Sequence, residues 1–164
     1  LELFAKHYET GELIPDELIK NVKAASAFHE GRNTLRQLAF ALLDMGWFSG
    51  DPSKIDDLEK FEESIMAATA TTPKVEGTCS STAFSHIFDG GYSSGYYSYK
   101  WAEVLDADAF AYFKENGIFN KEIAKKFRQN VLEKGGSAHP MELYKNFRGK
   151  EPSVEPLLKR AGLL

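Results

Sequence analysis

Apolar residues in this chain recur at steps of three and four almost from end to end, and that period confines the chain to helices. Leu35, Leu38, Ala39, Leu42 and Leu43 show it most clearly, so residues 33–48 are read as a strongly buried helix. Upstream, Pro15-Asp16-Glu17 reads as a helix start, with acidic groups at the positive end of the helix dipole. Before it, Leu1, Leu3, Phe4, Ala5 and Tyr8 look like the last turns of a helix already under way, stopped at Gly11. Ile55, Leu58, Phe61, Ile65 and Met66 mark a more polar helix, and residues 69–82 lack any period. A short helix near 81–88 precedes the loop Asp89-Gly90-Gly91. A long helix is expected from about Tyr96 to Asn116, with Trp101, Val104, Leu105, Ala109 and Phe113 facing the core and Gly117 as its stop. Asn120 and Pro140 open two more, and residues 152–161 form the last. The reading is an all-α, multi-helical unit of about eight helices, undivided over residues 1–164.

Composition narrows the function. Twelve Phe, 7 Tyr and 2 Trp are enough to fill a core and argue against disorder. A net charge of −4 offers no basic face, so no nucleic-acid partner is expected. No apolar run reaches the length of about 18 residues that a membrane span needs, so no membrane partner is expected either. One cysteine, Cys79, excludes an internal disulfide and any multi-cysteine metal cluster. It reads as a lone half-buried thiol sooner than as a nucleophile paired with a distant histidine.

Four histidines are present, His7, His29, His86 and His139. A zinc helix needs two of them four residues apart, and the start made by His29-Glu30 fails because Asn33 stands in the last position. No metal site is therefore expected within this chain. His7, His29 and His139 read as surface or helix-end residues, and Arg148 as an ion-pair former fixing the C-terminal segment.

The segment FSHIFDGGYSSGYYSYKWAE, from Phe84 to Glu103, stands apart. It gathers four of the seven tyrosines, Tyr92, Tyr96, Tyr97 and Tyr99, with three glycines and His86. Phenol and imidazole groups donate hydrogen bonds that suit a developing oxyanion, and glycines give a loop freedom to close. Tyr92, Tyr96 and Tyr99 fall at helical spacing on one side. Packing of the rings against the core explains the same pattern equally well, and both readings stand on chemistry alone.

The stretch HIFDGGYSSGYYSYKWAEV resembles the Gly/Tyr loop and following helix of the M3 family of zinc metallopeptidases, the thimet oligopeptidase and oligopeptidase A family. HYETGELIPDELI, RNTLRQLAFALLDM and GIFNKEIAKKFRQNVLEKGGSAHPMELYKNFRGKEPSVEPLLKRAGL resemble it too, so the likeness covers essentially the whole chain. The six-residue step from His86 to Tyr92 is more similar to the bacterial peptidyl-dipeptidase (Dcp) branch than to the thimet branch, whose loop is one residue shorter. That branch implies release of C-terminal dipeptides from oligopeptides.

The family's zinc helix, of the form HEFGH, and its third ligand, a Glu, have no match here. Both are expected before Leu1, which makes this chain the C-terminal part of the catalytic domain, inactive alone and partnered by the rest of that domain. One zinc ion is expected in the full-length enzyme and none in this fragment. The resemblance implies that His86, Tyr92 and Tyr99 bind the peptide and stabilise the transition state of its hydrolysis. Tyr96 would line the cleft, and Gly90 and Gly91 would belong to the substrate-binding loop that, with Gly95, swings closed. The Tyr92 and Tyr99 hydroxyls would contribute roughly 2–4 kcal/mol as oxyanion donors. A cytoplasmic location is the default for bacterial members, with the periplasm as the alternative. The competing function is a non-catalytic helical module that binds peptides or proteins through the aromatic loop.

Overall fold

The computed structural model describes residues 3–164. Among them the elements are eight α-helices: α1 Asp16–Ser26, α2 Glu30–Ser49, α3 Leu58–Met66, α4 Ser85–Phe88, α5 Ser98–Asn116, α6 Lys121–Phe127, α7 Pro140–Arg148 and α8 Glu155–Arg160. No strand is present among the described residues beyond an isolated antiparallel bridge between Lys6 and Leu13. No described helix is long and apolar enough to cross a membrane.

Local chemistry explains most of the boundaries. Asp57 and Asn120 cap α3 and α6 by accepting from the free amides of the first turn, Lys60 N–H for the first and Glu122 and Ile123 N–H for the second. His139 does the same for α7 through Nδ1, which accepts from Met141 N–H. Pro140 then occupies a first-turn position where no amide donor is needed. α6 runs directly into a π-helical turn, Arg128–Leu132, before the chain reaches the two glycines.

The N-terminal expectation fails. The described residues from 3 to 15 form no helix; His7 N–H donates to Glu12 C=O and Ile14 N–H to Ala5 C=O, so the chain doubles back. Gly11, at φ +74°, serves that reversal and ends no helix. The local cause is His7, whose Nδ1 accepts from the amides of Glu9 and Thr10 and stabilises the turn. Leu1 lies outside the described residues.

The burial of α2 also departs from expectation. Its buried residues are Ala39, Ala41, Leu43 and Asp44, while Leu35, Leu38, Leu42 and Met45 stay exposed along the opposite side. Similarly, Trp101 on α5 is 48% exposed, and the residues α5 buries are Ala107 and Asp108. Apolar spacing identifies an amphipathic helix but does not say which of its faces a particular neighbour covers.

Two aromatic centres hold the helices. In the first, Ala41 and Leu43 of α2 pack with Phe84, Ile87 and Tyr96, flanked by Phe40, Trp47, Phe61, Ile65 and Met66. In the second, the fully buried Phe147 of α7 meets Phe113 of α5 and Phe127 of α6 edge-on or tilted, at 6.0 and 5.0 Å between centroids. The 19 residues of α5, about 28 Å of helix at its standard rise, join one centre to the other.

Candidate functional site

Three consecutive devices shape the segment between α4 and α5. Asp89 and Gly90 N–H both donate to Ser85 C=O, and Tyr92 N–H donates to His86 C=O, so the chain turns tightly back over α4. A Cβ on Gly90 would stand 2.8 Å from both Cα and O of His86, closer than any side chain tolerates. Gly91 follows at φ +78°. Of the two glycines, expected to free a swinging loop, Gly90 has a packing reason, the close approach to the His86 backbone, and Gly91 a conformational one, its positive φ. Ser93 Oγ then donates to Ile87 C=O at 2.6 Å.

The third device is a carboxylate. Asp44, fully buried on α2, accepts from Ser94 N–H at 2.8 Å and from Tyr96 N–H at 2.9 Å, one with each oxygen. Ser94 sits at φ +56°, a left-handed conformation that only a fixed environment makes a serine keep. Upstream, Glu62 of α3 plays a parallel part: it accepts from Ser80 N–H, Ser81 N–H and Ser81 Oγ at 2.8–2.9 Å. Burial pushes the Glu62 carboxyl up, yet those three bonds, with a weaker one from the Cys79 thiol, outweigh it and hold the group below the usual carboxylate range. Cys79 lies half-buried with Sγ 3.5 Å from Glu62 Oε2, and Trp47 Nε1 donates to Ser81 Oγ.

The structure brings His86, Tyr92, Tyr96 and Tyr99 into one aromatic cluster. Tyr92 and Tyr99 stack with centroids 5.2 Å apart and planes at 25°. The His86 ring lies 6.0 Å from Tyr92 and meets Tyr96 at 85°, edge to face, 5.9 Å away. Tyr92, Tyr99 and His86 are exposed on one side of the cluster. Tyr96 is placed differently: it is buried in the first aromatic centre, and its hydroxyl donates to Gln37 Oε1 at 3.1 Å. It underlies the other rings and does not face solvent with them.

Interaction with the Tyr92 hydroxyl, followed by partial burial, raises the Tyr99 phenol above its ordinary value. Tyr99 therefore keeps its proton at neutral pH, which a hydrogen-bond donor to an anion requires. Among the described residues no other group engages the hydroxyl of Tyr92 or Tyr99. The cluster thus presents two stacked phenol donors and an imidazole to solvent, an arrangement suited to a peptide carbonyl or an oxyanion.

A metal is another matter. Among the described residues no three His, Cys, Asp or Glu side chains converge closely enough to hold one. His7 and His139 are occupied at turns, and His29 sits at the left-handed break between α1 and α2. Zinc, implied by the resemblance, does not fit the donors found among the described residues, and no chemical step here passes through it.

Arg148, read as an ion-pair former, is that: its Nε donates to Asp108 Oδ2 at 3.1 Å, and Tyr144 OH donates to the same oxygen at 2.6 Å. Sequence reasoning missed Asp44 and Gln37. The signal for Asp44 was available, since a lone carboxylate interrupts the apolar run from Phe40 to Phe48 on a helix otherwise read as buried.

Comparison with known proteins places the chain. The family model described as Peptidase family M3 matches residues 1–163. Oligopeptidase A of Escherichia coli (strain K12) is 45% identical over 99% of this chain and 24% of its own length. The organellar oligopeptidase A, chloroplastic/mitochondrial, of Arabidopsis thaliana is 44% identical over 98% of this chain and 21% of its own length. Dipeptidyl carboxypeptidase of Escherichia coli (strain K12) is 36% identical over 98% of this chain, again 24% of its length. The chain thus spans a quarter or less of the curated relatives it matches.

Proposed function

The chain belongs to peptidase family M3, and from that premise we propose that the complete protein hydrolyses peptide bonds of oligopeptides, with the His86–Tyr99 cluster binding the peptide and stabilising its transition state. The observation that carries this reading is the stacked and exposed Tyr92–Tyr99 pair, whose hydroxyls no other group engages among the described residues, while Tyr96 and Tyr144 have their hydroxyls bonded inside the protein. In hydrolysis the scissile carbonyl oxygen gains negative charge, and two pre-positioned phenol donors stabilise it more than they stabilise the ground state. His86, beside Tyr92, anchors the peptide backbone.

When bound in the complete enzyme, zinc supplies water activation and carbonyl polarisation; its ligands are proposed to lie in the polypeptide beyond these 164 residues. The exposed stripe Leu35, Leu38, Leu42 and Met45 on α2 is where the rest of the catalytic domain packs in this reading. A cytoplasmic location goes with it and is checked by cell fractionation.

Product release has two readings, each with its own support. The six-residue step from His86 to Tyr92 supports stepwise removal of C-terminal dipeptides. The higher identity to relatives named oligopeptidase A than to the one named dipeptidyl carboxypeptidase supports cleavage of oligopeptides that is not confined to C-terminal dipeptides. Mass mapping of the products of a peptide with a blocked C-terminus separates them, because only internal cleavage proceeds on it.

Replacing Tyr99 by Phe in the complete enzyme tests the central claim. We expect kcat to fall about 100-fold or more with KM little changed, and peptide binding to persist. A normal kcat overturns the assignment. Peptide binding by an unsubstituted enzyme that shows no hydrolysis would leave the non-catalytic module instead.

A further inference from the structure

We propose that Asp44 is a positioning residue for the tyrosine pair: it acts on Tyr92 and Tyr99 through the backbone between them and touches no substrate. The inference rests on the reading of that pair given above. Asp44 comes from α2, 50 positions before Ser94, so the bond ties the loop to a distant part of the chain. Its carboxylate is fully buried, and among the described residues no cation pairs with it. Burying an unpaired carboxylate is costly, and apolar packing at such a position would serve stability better. What the charge supplies is geometry. Two oxygens receive two amides with a single residue, Gly95, between them, and that fixes both the position and the direction of the chain.

Tyr92 lies two residues before the first anchored amide and Tyr99 three residues after the second. The second amide lies two residues before the start of α5, on the side where a negative charge is favoured by the helix dipole. One carboxylate therefore sets the loop that carries one phenol and the helix turn that carries the other. Gln37, seven residues before Asp44 on the same helix, holds the Tyr96 hydroxyl beneath them. A misplacement of about 1 Å at a reacting centre can cost a hundredfold in rate.

The test uses the complete enzyme carrying Asp44→Asn, which keeps the shape but turns one acceptor into a donor facing an amide. We expect kcat to fall about 10- to 100-fold with KM moving less than about threefold, and unchanged zinc content. In a background carrying both Tyr92→Phe and Tyr99→Phe the same change should cost less than about threefold more, because both donors it positions are already gone. Losses that multiply, or an unchanged kcat, overturn the proposal. An unaffected Tyr99→Phe enzyme would instead bring down the reading of the pair itself. If Asp44→Asn does not accumulate as folded enzyme, amide exchange in the unsubstituted enzyme decides. Ser94 and Tyr96 amides should exchange at least about tenfold more slowly than those of Gly91 and Ser93. Equal rates overturn the proposal.

Discussion

Asp44 and Asp108 are both fully buried aspartates in the interiors of long helices, yet they use their charge differently. Asp44 accepts only from backbone amides, one at each oxygen, and so dictates the path of a loop. Asp108 accepts only from side chains: Tyr144 OH and Arg148 Nε share Oδ2, while Oδ1 is buried without a partner among the described residues. It fixes how α7 docks on α5 and sets no loop. Burial, with the neighbouring Asp108 carboxylate second, drives the Tyr144 phenol far above its usual value. A carboxylate that reads backbone positions a site; one that reads side chains cements a helix pair.

Removing Arg148 should break the comparison hardest. Its side chain is 8% exposed and Asp108 1%, so Arg148→Met leaves a buried carboxylate with its cation gone and one oxygen already without a donor. Urea unfolding should show a loss of about 3–5 kcal/mol, with the loop cluster unaltered in the fraction that remains folded. A loss below about 1 kcal/mol would mean that the pair is effectively solvated and that the two aspartates are not comparable.

Gly90→Ala comes next and acts on the other side. The added methyl meets backbone of His86, which cannot rotate away as a side-chain tip could. We expect about 2–3 kcal/mol of destabilisation, together with lower kcat in the complete enzyme as His86 and Tyr92 shift. Were the glycine present for loop mobility alone, stability would hardly change and only kcat would respond.

These contrasts also show what was legible in the sequence. Caps were: Asn120, Pro140 and Gly117 act locally, so their residue types announce their positions. The cluster of His86, Tyr92 and Tyr99 was legible as a motif, and the structure brings its rings together. The close approach of Gly90 was not, because mobility and close approach call for the same residue and only the distance to His86 reveals the second. Nor was the exposed side of α2, whose Leu35, Leu38 and Leu42 are as apolar as its buried side. Asp44 escaped because its partners are amides 50 or more positions away, and a backbone donor leaves no mark in residue type.

Glu62 gives the smallest and sharpest test, since it repeats the arrangement of Asp44 with consecutive amides, Ser80 and Ser81, as donors. Its carboxyl is held below its unfolded value of 4.5. A group so depressed stabilises the fold above that unfolded value, and the contribution is lost as pH falls through the folded one. Glu62→Gln should therefore cost about 1–2 kcal/mol near neutral pH, and the gap to the unsubstituted protein should narrow steadily below about pH 4.5. Urea midpoints across the acid-to-neutral range read this directly. A gap that stays constant with pH would mean that Glu62 holds the Ser80–Ser81 turn by shape, and backbone-reading carboxylates would then lose charge as their common principle.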